Sequence, residues 1–214
     1  FYSTNSKEKD AIMDYFLTEE QEMIRDTAAQ IAKEKIEPIA IQYDEEGTFP
    51  WDIVKVLGDA DLFRVYLPEE YDGLGGGVLE MSIVVEELSK ACGGISLAYA
   101  ASGLVTIPIL LFGNDEQKKA WLPRLASGEI LAAFGLTEPN AGSDASAIAT
   151  SAISDGDDYV LNGTKQWITN GGEAEIYVVI AQTDPSRGAR GSDAILVPRG
   201  TPGFEFGKKE DKIG

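Results

Sequence analysis

The stretch YVLNGTKQWITNGGEAEIYVV, residues 159–179, is dense in β-branched and aromatic residues and is broken by Asn162-Gly163 and Gly171-Gly172. An Asn-Gly pair between two such runs is a strong hairpin signal, so two β runs are expected around Asn162-Gly163 within 159–169. IYVVIAQT (176–183) reads as the next strand and AILVP (194–198) as another, with Gly, Asp and Ser clusters between them. Five or six short strands are expected in all. The closing residues, FGKKEDKIG (206–214), carry no strand-closing signal, so the chain is expected to stop partway through this β domain.

Upstream of about residue 130 the period changes from two to that of a helix. Thr18 with Gln21 three residues later forms a capping box, and Glu19 and Glu20 fall in the first turn, where the helix dipole favours them. Ile24, Ala28, Ile31 and Ala32 then repeat at helical spacing, and Pro38 ends or kinks that helix. Pro50 opens a second, in which Gly58 is a weak point or a stop. Further helices are expected at 79–92, 95–112 and 115–126, around a loop LPEEYDGLGGG (67–77) that lacks phosphate-loop spacing. A helical block followed by a strand block predicts an α+β chain: a lead-in at 1–16, disordered or vector-derived, an all-α domain at 17–130 and an all-β, barrel-like domain at 131–214.

Composition narrows the chemistry. The 214 residues hold 18 Lys and Arg against 36 Asp and Glu, a net charge of −18 that disfavours nucleic acid and anionic membrane surfaces as partners. There is no histidine, which removes Ser-His-Asp and Cys-His nucleophiles and most zinc sites. Cys92 is the single cysteine, so no intrachain disulfide forms and a reducing compartment fits. The most apolar run, LVTIPILLF (104–112), is well short of the roughly 20 residues of a membrane span. The N-terminal FYSTNSKEKD has neither Arg nor an apolar core and reads as neither a transit nor a signal peptide.

FGLTEPNAGSD (134–144) joins the two blocks. Pro139, Asn140 and Gly142 are ordinary turn residues, yet Thr137 and Ser143 flank them with hydroxyls, and a Trp and a Thr recur in WITNGG (167–172). The residues alone leave both a plain turn and a cofactor cradle open. Together with TEEQEMIRDTAAQIAKEKI, LPEEYDGLGG, GNDEQKKAWLPRLASGE and YVLNGTKQWITNGGEAEIYVV, the stretch resembles the acyl-CoA dehydrogenase family of flavoenzymes from about Leu17 to the last residue.

The resemblance implies FAD-dependent α,β-dehydrogenation of an acyl-CoA thioester, with electrons passed to an electron-transferring flavoprotein. It implies that Phe134, Leu136, Thr137, Gly142 and Ser143 line the flavin, Thr137 at its pyrimidine end and Gly142 and Ser143 at its phosphates. Trp167, Ile168 and Thr169 form the second flavin segment, and Ser143 and Arg190 reach the CoA substrate. The helix at Ala98–Leu104 lines the acyl pocket, where Ala100, Ala101 and Gly103 leave room for a branched, cyclic or longer acyl group. The family's glutamate base lies in a C-terminal four-helix bundle that this sequence does not include, so no catalytic residue is expected here. Glu138 reads as an exposed turn carboxylate. The resemblance further implies a homotetramer, in the cytoplasm or, for a eukaryotic chain, the mitochondrial matrix. An acyl-CoA oxidase and a non-catalytic flavin- or CoA-binding module share the same cradle.

Overall fold

The structure, a computed structural model, describes residues 16–212; the expected lead-in lies outside them except for Phe16. Helix α1 (Glu19–Ile31) opens on the expected capping box, in which Gln21 N donates to Thr18 Oγ1 at 3.2 Å and Thr18 N donates to Gln21 Oε1 at 3.1 Å. One π-helical turn (Ala32–Ile36) follows, and the helix stops just before Pro38, which has no N–H to continue the ladder. Helices α2 (Ala40–Glu46) and α3 (Trp51–Asp59) come next. Gly58 does not stop α3. A side chain there would meet Ser127 O at 2.8 Å, so the glycine serves a close approach to the backbone at Ser127 and Gly128.

α4 (Val78–Ala91), α5 (Gly93–Phe112) and α6 (Asp115–Ala126) complete the helical part. By length and mean hydropathy (2.0) α5 could cross a membrane, but 56% of its most apolar 18-residue stretch is buried inside the protein, as in a core helix. Its Tyr99 packs on Phe63 and Tyr66 and donates to Leu62 O at 2.8 Å.

The strand block is a five-stranded sheet: β1 (Ala132–Gly135), β2 (Ser151–Asp155), β3 (Asp158–Asn162), β4 (Ile176–Gln182) and β5 (Ser192–Pro198). β4 is its centre. β5 pairs antiparallel along one edge; β1 and β2 share the other in parallel, at Ile176–Val179 and at Gln182. Strand alternation sends Ile176 and Val178 into the core shared with the helices, and Tyr177 and Val179 into a smaller cluster with Ala133, Ala174 and Val197. Burial on both faces explains the uninterrupted apolar run at 176–181.

The hairpin is not at Asn162-Gly163. β2 and β3 turn at Gly156 and Asp157, with Asp155 opposite Asp158, and Asn162 ends β3 with no strand after it until Ile176. Gly163 instead lies against Thr150, whose Oγ1 a side chain would meet at 2.3 Å and whose Cα at 2.7 Å. Gly163→Ala is therefore expected to destabilise the fold by about 1–3 kcal/mol through overpacking. Urea unfolding measures this, and an unchanged midpoint would refute the close-approach role.

Candidate flavin and acyl site

β1 delivers Phe134 into the core and releases the chain at Leu136 and Thr137, both half-buried. The next residues form a tight turn: Glu138 N donates to Ala141 O and Ala141 N to Glu138 O, each at 3.1 Å, with Pro139 and Asn140 at its tip. Gly142 and Ser143 are exposed, and a Cβ at Gly142 would meet nothing within 4 Å. The backbone there is open to a ligand rather than to its own protein.

The second segment is held against the first. Gln166 N donates to Thr137 O at 2.8 Å, and Lys165 Nζ donates to Leu136 O at 3.0 Å. Lys165 also meets Glu138 Oε1 at 2.7 Å, with side-chain exposures of 11% and 7%. Glu138 is thus buried, not an exposed turn carboxylate, and it accepts from Ala149 N at 2.7 Å and Thr150 N at 3.0 Å. Burial by itself would raise its pKa. The donors on Lys165, Thr150 and Ala149 outweigh that and hold the carboxyl at about 2.

Trp167 follows, 60% exposed and with a left-handed φ of +59°. A bulky residue in that region is strained, and such strain persists where the surroundings enforce it. Asn170, also left-handed at φ +62°, is buried and supplies the restraint: its Nδ2 donates to Ala98 O on α5 at 2.9 Å and to Ala132 O on β1 at 3.1 Å. Between the two, Ile168 packs on the smaller cluster, and Thr169 is exposed at the wall of a cavity of about 340 Å³.

That cavity lies between α4 and α5, lined by Met81, Val85, Leu97, Ala100, Ala101 and Leu104 among others. Ala100 and Ala101 leave room, as expected. Gly103 does not: its open face is filled by Met81, whose Sδ would lie 2.3 Å from an added Cβ. Glu86, also on the wall, lies 3.6 Å from Lys90. Arg190 is exposed in the 3-10 segment Pro185–Gly191, which packs beside Ala145–Ala147, just past Ser143. The structure therefore brings Leu136 and Thr137 to the 165–169 segment and Thr169 to the cavity.

Sequence reasoning missed Lys165, Asn170 and Met81. Asn170 sits in the quoted TNGG stretch, where an Asn before two glycines is a signal for left-handed backbone. Lys165 had no such signal, because its partner is far along the chain.

Two family descriptions match this chain: acyl-CoA dehydrogenase, N-terminal domain, over residues 18–129, and acyl-CoA dehydrogenase, middle domain, over residues 133–214. The chain belongs to the acyl-CoA dehydrogenase family. It is 44% identical over 210 residues to an acryloyl-CoA reductase (NADH) of Anaerotignum propionicum, covering 97% of this chain and 53% of that protein. The solved structure of butyryl-CoA dehydrogenase from Megasphaera elsdenii superposes with a TM-score of 0.88 at 41% identity, covering 94% of this chain and 54% of that one. A structure described as the electron transferring flavoprotein of Acidaminococcus fermentans matches with a TM-score of 0.88 at 45% identity, covering 94% and 53%. The chain spans about half the length of these relatives.

Proposed function

We propose that this chain is the flavin- and acyl-binding part of an FAD-dependent acyl-CoA dehydrogenase acting on short acyl groups. The observation that carries the reading is the junction of the two hydroxyl-bearing segments at Thr137 and Gln166, with Thr169 at the wall of the apolar cavity between α4 and α5. The residues fit FAD. A large aromatic, Trp167, stands exposed on strained backbone, and Gly142 and Ser143 are open ground on the segment joined to it, as a ring system and a phosphate arm require.

When bound, FAD supplies the two-electron acceptor for oxidation of the acyl chain. Thr137, at the segment junction, and Thr169, at the cavity wall, would offer hydroxyl donors to a bound ring, where donors favour the reduced, negatively charged form. Trp167 covers an apolar face and excludes water. Gly142 and Ser143 approach phosphate, and Ser143 and Arg190 bind the CoA arm. The cavity takes the acyl tail, with Met81 over Gly103 closing the volume on that side and so favouring a short chain. No residue of the chain is assigned as the base.

Relatives named as a butyryl-CoA dehydrogenase, an acryloyl-CoA reductase and an electron transferring flavoprotein support a short acyl substrate and electron exchange with an electron-transferring flavoprotein. The working protein is a homotetramer located in the cytoplasm, or in the mitochondrial matrix if the source is eukaryotic, and α5 is a core helix in it rather than a span. The test is an absorbance spectrum of the full chain, followed by anaerobic addition of an acyl-CoA series. Oxidised-flavin bands that bleach most with the four-carbon thioester are expected. A colourless protein that takes up no FAD overturns the reading, and bleaching only by long chains overturns the short-chain assignment.

A further inference from the structure

Segments 136–141 and 165–169 are both irregular, and neither is held to the other by a strand ladder. They meet through three hydrogen bonds: Gln166 N to Thr137 O, Lys165 Nζ to Leu136 O and Lys165 Nζ to Glu138 Oε1. Two of the three run through Lys165. Glu138 in turn fixes the chain entering β2, through Ala149 N and Thr150 N. One largely buried cation and one buried anion therefore tie together the turn after β1, the entry to β2 and the approach to Trp167.

We propose that the Glu138–Lys165 pair is a positioning clamp that holds Thr137 and the Trp167–Thr169 segment in one fixed arrangement, and so sets how tightly and at what potential the flavin is held. The inference rests on the flavin reading above. A buried ion pair is a poor device for stability alone, because apolar residues of the same volume do as well or better. Its value lies in what it joins: Lys165 reaches Leu136 O and Glu138 together, and both bonds form only when the two segments lie side by side. The carboxylate needs all its donors to stay ionised while buried, so the geometry is over-determined. Neither side chain is assigned contact with flavin or substrate, so both act through the residues they place.

The experiment compares Glu138→Gln, Lys165→Met and Lys165→Arg in the full chain. FAD affinity, flavin midpoint potential, apoprotein melting temperature and amide exchange at Gln166 are measured. Glu138→Gln and Lys165→Met are expected to bind FAD about tenfold more weakly or worse, a difference of about 1.4 kcal/mol. Both should shift the potential and lose protection at the Gln166 amide, while Lys165→Arg stays near wild type in all three. If the first two lower the melting temperature but leave affinity and potential at wild-type values, the pair is merely structural and the clamp is refuted. Should Lys165→Met fail to fold, Glu138→Asp, which keeps the charge and shortens the reach, carries the same readouts. A wild-type protein that takes up no FAD sinks the flavin reading itself, and the clamp with it; FAD uptake with unchanged variants sinks the clamp alone.

Discussion

Asn170→Ala is expected to remove about 3 kcal/mol of folding stability, from two buried hydrogen bonds and from backbone strain acting together. The amide of Asn170 donates at once to α5, at Ala98 O, and to β1, at Ala132 O. Alanine leaves both carbonyls without that donor at a site closed to water, and it must also hold φ near +62°, which asparagine tolerates better. Asn170→Gly separates the two contributions, since glycine relieves the backbone but not the lost donors. Urea denaturation of the three proteins reads both terms. A loss below about 1 kcal/mol in the alanine variant would show that the loop does not depend on this pin. Because Thr169 adjoins Asn170, the same variant should widen or blur the cavity wall and weaken acyl binding.

Acid should unfold the chain partly through a single carboxylate. Glu138 titrates near 2 in the folded state against an ordinary 4.5. Its contribution is fully present above pH 4.5 and is lost as the pH falls towards 2. The shift corresponds to roughly 3 kcal/mol. Stability measured by denaturant titration from pH 6 downward should therefore fall more steeply in the wild type than in Glu138→Gln. The variant starts less stable at neutral pH and lacks this component of the slope. Parallel pH profiles would mean that another group carries the acid sensitivity.

Local signals in the sequence reported local facts well. The Thr18–Gln21 capping box, the stop before Pro38, the three later helices and the strands at 176 and 194 are set by neighbours a few residues away, and the structure has them. The short strands β1 and β2 were not legible, because four or five residues carry too little period to stand out. The other misreadings share one cause, a partner distant in sequence. Asn162-Gly163 has the composition of a hairpin turn, but its glycine accommodates Thr150. Glu138 has the setting of an exposed turn residue, but Lys165, 27 residues on, buries and pairs it. Gly103 offers space that Met81 on the neighbouring helix already fills. Of the site, the two segments were visible from their hydroxyls, Trp167 and glycines; the atoms that join them were not.

The central position of β4 has a consequence for how the chain reaches its native state. Its parallel partner β1 begins at Ala132, paired with Ile176, so the middle of the sheet waits on a contact that spans the whole hairpin of β2 and β3. The β2–β3 hairpin and the antiparallel β4–β5 pair close locally and early, whereas β4 acquires its parallel edge late. Until then Ile176–Ala181 is an uncharged apolar ribbon with one edge open, the kind of segment that recruits another copy of itself. Yield on refolding should then fall with protein concentration, with β4 rather than the helices as the seed of the aggregate.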